Sequence, residues 1–419
     1  YPEVRAIARF YGLATRIRGF SNRYPVDLDL DSAPATVDWD SMKPQQGDDP
    51  NLLILQYYRY FRATGDTGFI RAHYGFLRRN MTGQRHENYR LPFHGDETYQ
   101  VYVMMAESVP MGEFYSADTG FMYTAAAAAL SEMAQAIGKK EDAETFVRWS
   151  RECRDKTEEY YWDDEKGYYI PYVKKDTLEP PVSPFANINL RPLWIGYASP
   201  ADPRQRANVI NTCKRLMDRD GTMKTSKRVS YYTGMTPGLL LYNLKAVGAT
   251  GRADLAYEAM MRRTASPAGE FAEAYDGRDR WMDYASEPNI YRPWETSINT
   301  EAALYYLTGL EFDHLSNSVT LAPHLPPAAD RLVIRNIHAG PNTFTLAMER
   351  ADGDTVSVEV SNLSKSPMSF TLLTEIADGS AAPPGAEEID YGNYRRKMWR
   401  TAGEIPPGGK VSTTGGAGG

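Results

Sequence analysis

The sequence contains few of the residues from which metal sites, disulfide frameworks and membrane spans are built. Among 419 residues there are two cysteines and six histidines, and no HExxH, GxGxxG, Walker or GxSxG pattern occurs. No apolar run approaches the roughly 18 residues that a bilayer span requires. These absences exclude the commonest motifs of metalloproteases, nucleotide-binding proteins and serine hydrolases. We expect no cofactor, no metal ion and no membrane partner.

A strong charge imbalance is also missing. The chain has 47 Lys and Arg against 54 Asp and Glu, a formal net charge of −7, so it creates no positive field that would attract a polyanion. A mean hydropathy of −0.52 is typical of a water-soluble globular protein. We therefore expect no nucleic-acid partner.

The two cysteines do not identify a redox compartment. Cys153 and Cys213 lie in separate segments of helical periodicity without CxxC spacing, which favours two buried thiols over the alternative of a disulfide. The sequence begins at Tyr1 without a signal-peptide pattern, and we expect it to be a fragment of a longer protein. The location would be extracellular or periplasmic if an upstream signal peptide has been removed, and cytoplasmic otherwise.

A repeated unit of helix, short glycine-containing turn and helix organises the first three quarters of the chain. Apolar periodicity predicts helices over residues 4–17, 52–61, 69–79, 122–137, 141–160, 188–197, 203–217, 239–247, 253–263 and 298–307. The first helix of a pair is apolar nearly all round, and the second is charged on one face. Inner and outer walls explain this difference and predict a mainly α fold, an (α/α)6 toroid, which is a barrel of antiparallel helix hairpins. An open helical solenoid is the alternative.

The pattern changes to strand-like alternation within residues 308–316. Five short strands are predicted at 319–321, 332–334, 343–348, 356–360 and 370–373. We expect a catalytic barrel domain at 1–310, a small antiparallel β-sandwich at 317–400 and a partly disordered tail at 401–419. Residues 163–167 lack the ligand register of a cation loop and are predicted to form a hairpin turn.

The aromatic residues suggest a carbohydrate ligand. They make up 12% of the chain, and 29 of them are Tyr, whose apolar ring and hydrogen-bonding tip suit surfaces that contact sugars. Large helical cores also use Tyr at their rims, and composition does not separate the two interpretations.

Two acidic loops provide carboxylates for acid–base chemistry. In residues 91–99, Asp96 and Glu97 are adjacent, and one carboxylate raises the pKa of its neighbour, as a general acid requires. Glu97 is our candidate acid, although Asp96 could instead cap a helix. Three later acidic residues in the same connection are alternative acids: Glu107, Glu113 and Asp118.

The second loop, at residues 269–276, contains acidic residues that follow Pro267 and Gly269. A proline and a glycine at the start favour a rim loop over a solvated helix. Glu273 is our candidate base, and a plain acidic loop is the alternative. Aromatic and polar residues around both loops resemble the lining of a ligand pocket. For residues 281–295, which precede the helix predicted at 298–307, packing around the helix start is an equally good explanation. The predicted substrate contacts are His94, Tyr99, Trp39, Asp40, Glu270, Tyr275, Trp281, Tyr291, Arg292, Trp294 and Glu295.

The order of these parts resembles the α/α-barrel glycoside hydrolases that include α-L-rhamnosidases, glucoamylases, trehalases and processing α-glucosidases. Residues 304–311, 319–326 and 332–335 are similar to the junction of barrel and sandwich in rhamnosidases and related disaccharide phosphorylases. The resemblance implies that Asp96 and Glu97 supply the acid and Glu273 the base. Gly95 and Ala272 stand where rhamnosidases have Arg and Trp. The resemblance is therefore to the wider group of α/α-barrel glycoside hydrolases and not to the rhamnosidases in particular.

These observations predict an inverting hydrolase that removes a terminal sugar from an oligosaccharide or polysaccharide. Inversion requires the two carboxyl groups to lie about 6.5 to 9.5 Å apart, so that a water molecule fits between them. A polysaccharide lyase on the same toroid, a disaccharide phosphorylase and a non-catalytic glycan-binding protein are the alternative functions.

Overall fold

A computed structural model describes residues 49–83, 114–174, 176–181, 183–224, 232–233, 235–263, 274–275, 293–351, 355–375, 387–389 and 398–416. The predicted helix at 4–17 lies outside these residues. The chain forms two compact units, residues 1–199 and 200–419, and the expected domain boundary near residue 310 stays a prediction. Each unit is described separately.

The first unit contains two of the predicted helix pairs. Its helices are α1 (Asp49–Thr64), α2 (Thr67–Gly83), α3 (Ala117–Ala136), α4 (Lys140–Tyr161), α5 (Ala186–Asn189) and α6 (Arg191–Trp194), and its strands are β1 (Phe114–Ser116), β2 (Trp162–Asp163), β3 (Tyr168–Tyr169) and β4 (Tyr172–Lys174). Gly65 and Gly138 separate the members of two pairs with φ angles of 66° and 82°. Glycine adopts this left-handed conformation without a steric penalty.

The inner and outer character predicted for α3 and α4 is present. The alanine-rich α3 is buried around nearly its whole circumference. Helix α4 buries one stripe, which includes Phe146, Ser150 and Cys153, as expected for a helix with one apolar face. The Ser150 hydroxyl donates to the Thr124 carbonyl at 2.8 Å, so the stripe faces α3.

The continuous helix predicted at 188–197 is wrong. The structure has two single-turn helices, α5 and α6, with Leu190 between them. Pro192 occupies the first turn of α6, where its missing N–H is tolerated, whereas inside a longer helix it would remove a hydrogen bond. Gly196 then adopts a φ of 80° and ends the segment.

Two local predictions are confirmed. Strands β2 and β3 pair antiparallel around the turn at 163–167, in which Lys166 Nζ lies 2.6 Å from Asp163 Oδ2. Cys153 and Cys213 are both buried free thiols.

The second unit continues with helices and ends in strands. It contains α7 (Pro203–Leu216), α8 (Thr236–Ala246), α9 (Thr250–Arg263) and α10 (Pro293–Thr308), with β5 (Tyr232–Thr233) and β6 (Ala274–Tyr275) between them. Helix α8 packs against α9 and α10. Within the described residues, none of the helices is both long enough and apolar enough to span a membrane.

The C-terminal portion is β-rich. Its strands are β7 (Glu311–Asp313), β8 (Ser318–Leu321), β9 (Arg331–Ala339), β10 (Asn342–Arg350), β11 (Thr355–Asn362), β12 (Met368–Glu375), β13 (Glu387–Ile389), β14 (Met398–Ile405) and β15 (Lys410–Gly416). One sheet has the order β15-β11-β10-β9, and the other has the order β13-β14-β12-β8-β7. Apolar side chains from both sheets, among them Phe344, Val358 and Phe370, belong to one buried cluster.

The five predicted strands are present, and two expectations are corrected. Strands β8 and β12 are parallel, although the other pairs in these two sheets are antiparallel. The expected partly disordered tail contains strand β15, which pairs with β11. Its glycines suggested disorder, but Val411 and Thr413 alternate with exposed residues, and this alternation suits a strand with one buried face.

Candidate functional site

The segments that contain the candidate site residues precede two helices, α3 and α10, in the chain. In the first unit, the segment containing Asp96 and Glu97 precedes β1, and β1 leads directly into α3. In the second unit, the segment containing Trp281, Tyr291 and Arg292 ends where α10 begins. The first segment thus ends three residues before α3, and the second ends at the first residue of α10.

A two-strand pair fixes the entry to α3. Strand β1 pairs with β4 in the register Phe114↔Lys174 and Ser116↔Tyr172. The Ser116 hydroxyl accepts a hydrogen bond from the Asp118 backbone N–H at 3.2 Å, which is an N-cap contact. The backbone of residues 114–118 is thus held in a defined conformation.

A buried ion pair lies next to this entry. Arg191 Nη1 lies 2.7 Å from Asp118 Oδ2, and the two side chains are 4% and 0% exposed. The pair joins the first turn of α3 to α6. Asp118 was an alternative acid, but its complete burial and its Arg partner fit a structural ion pair and not a proton donor to substrate.

Strands β5 and β6 pair within the second unit at the end of the candidate base loop. They pair antiparallel as Tyr232↔Tyr275 and Thr233↔Ala274. Glu273 directly precedes β6 in sequence, and β5 lies shortly before α8. The backbone that follows Glu273 is therefore held beside the chain that enters α8.

Most of the predicted site residues lie outside the described part of the chain. These are Trp39, Asp40, His94, Asp96, Glu97, Tyr99, Glu107, Glu113, Glu270, Glu273, Trp281, Tyr291 and Arg292. The backbone of Tyr275 lies in β6, and that of Trp294 and Glu295 lies in the first turn of α10. The side-chain roles of all these residues remain predictions.

Arg191 was not identified from the sequence. Its signal was available, because it is the one charged residue within the apolar stretch 185–198, and a charge within such a stretch needs a buried partner. The partner, Asp118, is 73 residues away in the chain, so the sequence alone did not indicate the pair.

The second unit also buries a lysine, at the far end of α8 from β5. Lys245 is 3% exposed, and it follows the first residue of α8 by nine positions, or roughly 14 Å of helix. Burial lowers its pKa to about 8, although the nearby Glu375 and Asp254 carboxylates partly oppose the shift. Its burial indicates a structural group. Within the described segments, His, Cys, Asp and Glu side chains do not form a cluster of three that could hold a metal ion.

Comparison with protein families agrees with the resemblance seen in the sequence. Residues 31–226, a little less than half of the chain, match the family model of the mannosylglycerate hydrolase MGH1-like glycoside hydrolase domain. The match includes the candidate acid loop and ends before the candidate base loop. A comparison with curated proteins found no match.

Solved structures with a similar fold include α-L-rhamnosidases. The enzyme from Dictyoglumus thermophilum aligns with a TM-score of 0.60 and 12% identity, over 98% of this chain and 44% of its own. The enzyme from Aspergillus terreus aligns with a TM-score of 0.55 and 12% identity, over 99% of this chain and 44% of its own. This chain thus spans less than half the length of these relatives. The comparisons confirm the predicted resemblance to glycoside hydrolases with α/α-barrel relatives.

Proposed function

We propose that this protein is an inverting glycoside hydrolase that removes a terminal sugar from an oligosaccharide or polysaccharide. The observation that carries the proposal is the match of residues 31–226 to a glycoside hydrolase domain. The fold likeness to two rhamnosidases over nearly the whole chain supports it. We also propose that the helix pairs close into an (α/α)6 toroid and that the two C-terminal sheets form a sandwich.

We assign the general acid to Glu97, assisted by Asp96, and the general base to Glu273. In this mechanism the protonated Glu97 donates its proton to the departing glycosidic oxygen. The ionised Glu273 removes a proton from a water molecule that attacks the anomeric carbon from the opposite face. The pairing of β6 with β5 supports the assignment of the base, because it fixes the chain directly after Glu273.

The proposed substrate is a sugar of manno configuration. The family model is named after the hydrolysis of mannosylglycerate, and the structural relatives are α-L-rhamnosidases. L-Rhamnose is 6-deoxy-L-mannose, so both names refer to pyranosides with an axial 2-hydroxyl group. Hydrogen bonds to that hydroxyl contribute to transition-state binding in many glycosidases.

The test compares two leaving groups on two sugars. The substrates are the 4-nitrophenyl and methyl α-glycosides of L-rhamnose and D-mannose. Nitrophenolate departs without being protonated, whereas the methoxy group must be protonated by the general acid as it departs. We therefore expect Glu97→Gln to lose more than about 100-fold in kcat/KM on the methyl glycoside and much less on the nitrophenyl glycoside. Glu273→Gln should lose a similar factor in kcat/KM on the methyl and the nitrophenyl glycosides.

The matched control is Glu144→Gln, which makes the same change at an exposed position of α4. It should keep wild-type rates. Equal losses on both leaving groups for Glu97→Gln would contradict its role as the acid, and a wild-type rate for Glu273→Gln would remove the base assignment. No turnover of any of the four glycosides would contradict the proposed sugar class.

A further inference from the structure

The second unit contains two buried charged groups that make no hydrogen bond within the described part of the chain. Lys245, near the end of α8, is 3% exposed, and its amine has no hydrogen-bond or ion-pair partner there. Glu375, the last residue of β12, acts electrostatically on Lys245, and its buried Oε1 atom accepts no hydrogen bond from the described residues. The amine belongs to a helix and the carboxylate to a sheet.

Both groups lose hydrogen bonds to water when they are buried. A buried polar group without a partner raises the free energy of the folded state. Most buried polar atoms in proteins are paired, so an unpaired one calls for a physical reason. A small movement of the end of α8 away from the end of β12 would return both groups to water. The contact between Lys245 and Glu375 therefore favours local opening at this place.

Other contacts hold the helices against the β-rich portion. His324, which follows β8, has its Nε2 atom 2.6 Å from Asp254 Oδ1 of α9. The Ala322 N–H donates to the Thr308 carbonyl at 2.9 Å, and the His324 N–H donates to the Leu307 carbonyl at 3.0 Å. These bonds join the end of α10 to the chain after β8. We call this region the helix–sheet junction and define it by four side chains: Lys245, Asp254, His324 and Glu375.

The apolar packing at the helix–sheet junction is small. Ala322, Leu373 and Met398 form a buried cluster of their own, whereas the core between the two sheets is a larger, separate cluster that includes Phe344 and Val358. Local opening costs less free energy where few buried apolar contacts are lost. The junction can therefore open while the core between the sheets stays intact.

Several elements bring titratable groups to the junction. Burial lowers the pKa of Lys245 from 10.5 to about 8, while the carboxylates of Glu375 on β12 and Asp254 on α9 raise it. Asp254 also accepts a hydrogen bond from Tyr306 of α10 and lies beside His324. When the junction opens, the Lys245 amine reaches water and regains its ordinary pKa. The open form therefore binds a proton more tightly than the closed form.

We propose that the helix–sheet junction is a proton-controlled switch, which opens locally while Lys245 is protonated and closes when its amine is neutral. Because the open form binds more protons than the closed form, closure becomes more favourable as the pH rises from about 7 to 10.5. The inference goes beyond the proposed function and does not depend on it, since it concerns the coupling of α8, α9 and α10 to the β-rich portion.

Hydrogen exchange of the whole chain measures this opening. The Ala322 and His324 amides report on the junction, and the Val358 amide reports on β11, which is paired on both sides. The protection factor compares each observed rate with that of an unstructured peptide at the same pH. At pH 7 we expect lower protection at Ala322 and His324 than at Val358. From pH 7 to pH 9 the protection of the two junction amides should rise about 10-fold.

Two lysine variants identify the group responsible. In Lys245→Met, the junction amides should be better protected than in wild type at pH 7. Their protection should also be equal at pH 7 and pH 9, because opening no longer changes the number of bound protons. Lys224→Met is the matched control, since it makes the same change at a lysine side chain that is 47% exposed. It should keep the rise seen in wild type.

Three results would overturn the inference. Equal protection of the wild-type junction amides at pH 7 and pH 9 would mean that Lys245 does not change its proton affinity on opening. Equal protection at the junction and at Val358 would mean that these amides exchange only by global unfolding. A rise that persists in Lys245→Met would assign the pH dependence to another group, such as His324. The first two results are measured on wild type and do not depend on the folding of a variant.

Discussion

Tyrosine hydroxyl groups tie helices together within the described residues. Tyr58 donates to Glu132, and Tyr74 donates to Asp142, each at 2.8 Å, and burial together with the carboxylate raises the pKa of both tyrosines. Tyr197 donates to Glu158 at 2.6 Å. The sequence left open whether its many tyrosines contact sugars or line a helical core, and these contacts are of the second kind.

Loss of either partner of the buried ion pair between Asp118 and Arg191 should strongly destabilise the folded protein. Replacement of one partner leaves the other charge without compensation, so we expect Asp118→Ala and Arg191→Ala each to lower the free energy of unfolding by about 3 to 5 kcal/mol. The double variant should cost much less than the sum of the two. Urea unfolding of the four proteins measures this coupling.

The control for that cycle is the exposed pair of Arg148 and Glu152, with an Nε–Oε1 distance of 3.8 Å. The same alanine cycle there should give a coupling below about 1 kcal/mol. Similar couplings for both pairs would contradict the structural role of Asp118.

Lys245 should make stability depend on pH in the alkaline range. Its pKa is lowered by burial from 10.5 to about 8, so between these values the unfolded chain binds more protons than the folded one, and stability rises with pH. The cost of burying the charge is fully present below about pH 8 and disappears above about pH 10.5. Removal of the charge should therefore stabilise the protein at pH 7 by about 3 kcal/mol at most.

The measurement is urea unfolding of wild type and Lys245→Met from pH 7 to pH 10.5. The difference in stability between the two proteins should shrink as the pH rises. An unchanged difference across this range would show that Lys245 is not a buried charge.

At the scale of elements, one carboxylate joins the helices to the start of the β-rich portion. Asp254 of α9 accepts a hydrogen bond from the Tyr306 hydroxyl of α10, and His324 Nε2 lies 2.6 Å from the same oxygen. The His324 backbone N–H donates to the Leu307 carbonyl at 3.0 Å, so residues after β8 also close the end of α10.

Loss of this carboxylate should loosen that connection. Asp254→Ala leaves the buried Tyr306 and His324 groups without their acceptor, and we expect a loss of about 2 to 4 kcal/mol. Hydrogen exchange at the His324 amide should accelerate in this variant. The exposed Asp218, 4.0 Å from Lys224, provides the control Asp218→Ala, and equal exchange in the two variants would contradict the role of Asp254.

The end of α10 depends on a glycine that has no room for a side chain. Gly309 has a φ of 53°, and an added Cβ would lie 2.5 Å from the Ala322 Cβ and 2.7 Å from its carbonyl oxygen. Gly138 also has a positive φ, but a Cβ there would meet no atom within 4 Å. The two positions differ in packing and share the backbone strain.

Alanine at each glycine separates these effects. Gly138→Ala should cost about 1 kcal/mol from strain alone, and Gly309→Ala should cost a further 1 to 3 kcal/mol or so from overpacking. Urea unfolding of both variants gives the comparison. An equal loss of unfolding free energy in the two variants would mean that Ala322 moves to accommodate the added Cβ at no cost in free energy.

The elements that the sequence predicted well are those whose residues carry a periodic signal. Helices α3 and α4 followed from an alanine-rich run and from a charged face with one apolar stripe. The break at Pro192 was missed because the apolar residues around it suit a continuous helix. The pairing of Tyr232 with Tyr275 joins strands of two residues, which are too short to show any alternation.

The chemistry and the position of the candidate site both stay predictions from the sequence. Adjacent carboxylates at Asp96 and Glu97 indicated acid–base chemistry without reference to the fold. Asp118 looked equivalent in sequence, but its burial and its pairing with Arg191 depend on a contact across 73 residues. Such long-range pairs follow from tertiary packing and leave no local pattern.

For the whole molecule, the central claim is that paired carboxylates hydrolyse a glycoside with inversion. The most direct measurement follows the first product by proton NMR during hydrolysis of methyl α-L-rhamnopyranoside and methyl α-D-mannopyranoside, before the released sugar mutarotates. We predict that the first anomer formed is β, and that Glu97→Gln and Glu273→Gln each slow its appearance by more than about 100-fold. Initial release of the α anomer would contradict the account, because it would require a covalent intermediate and a second displacement.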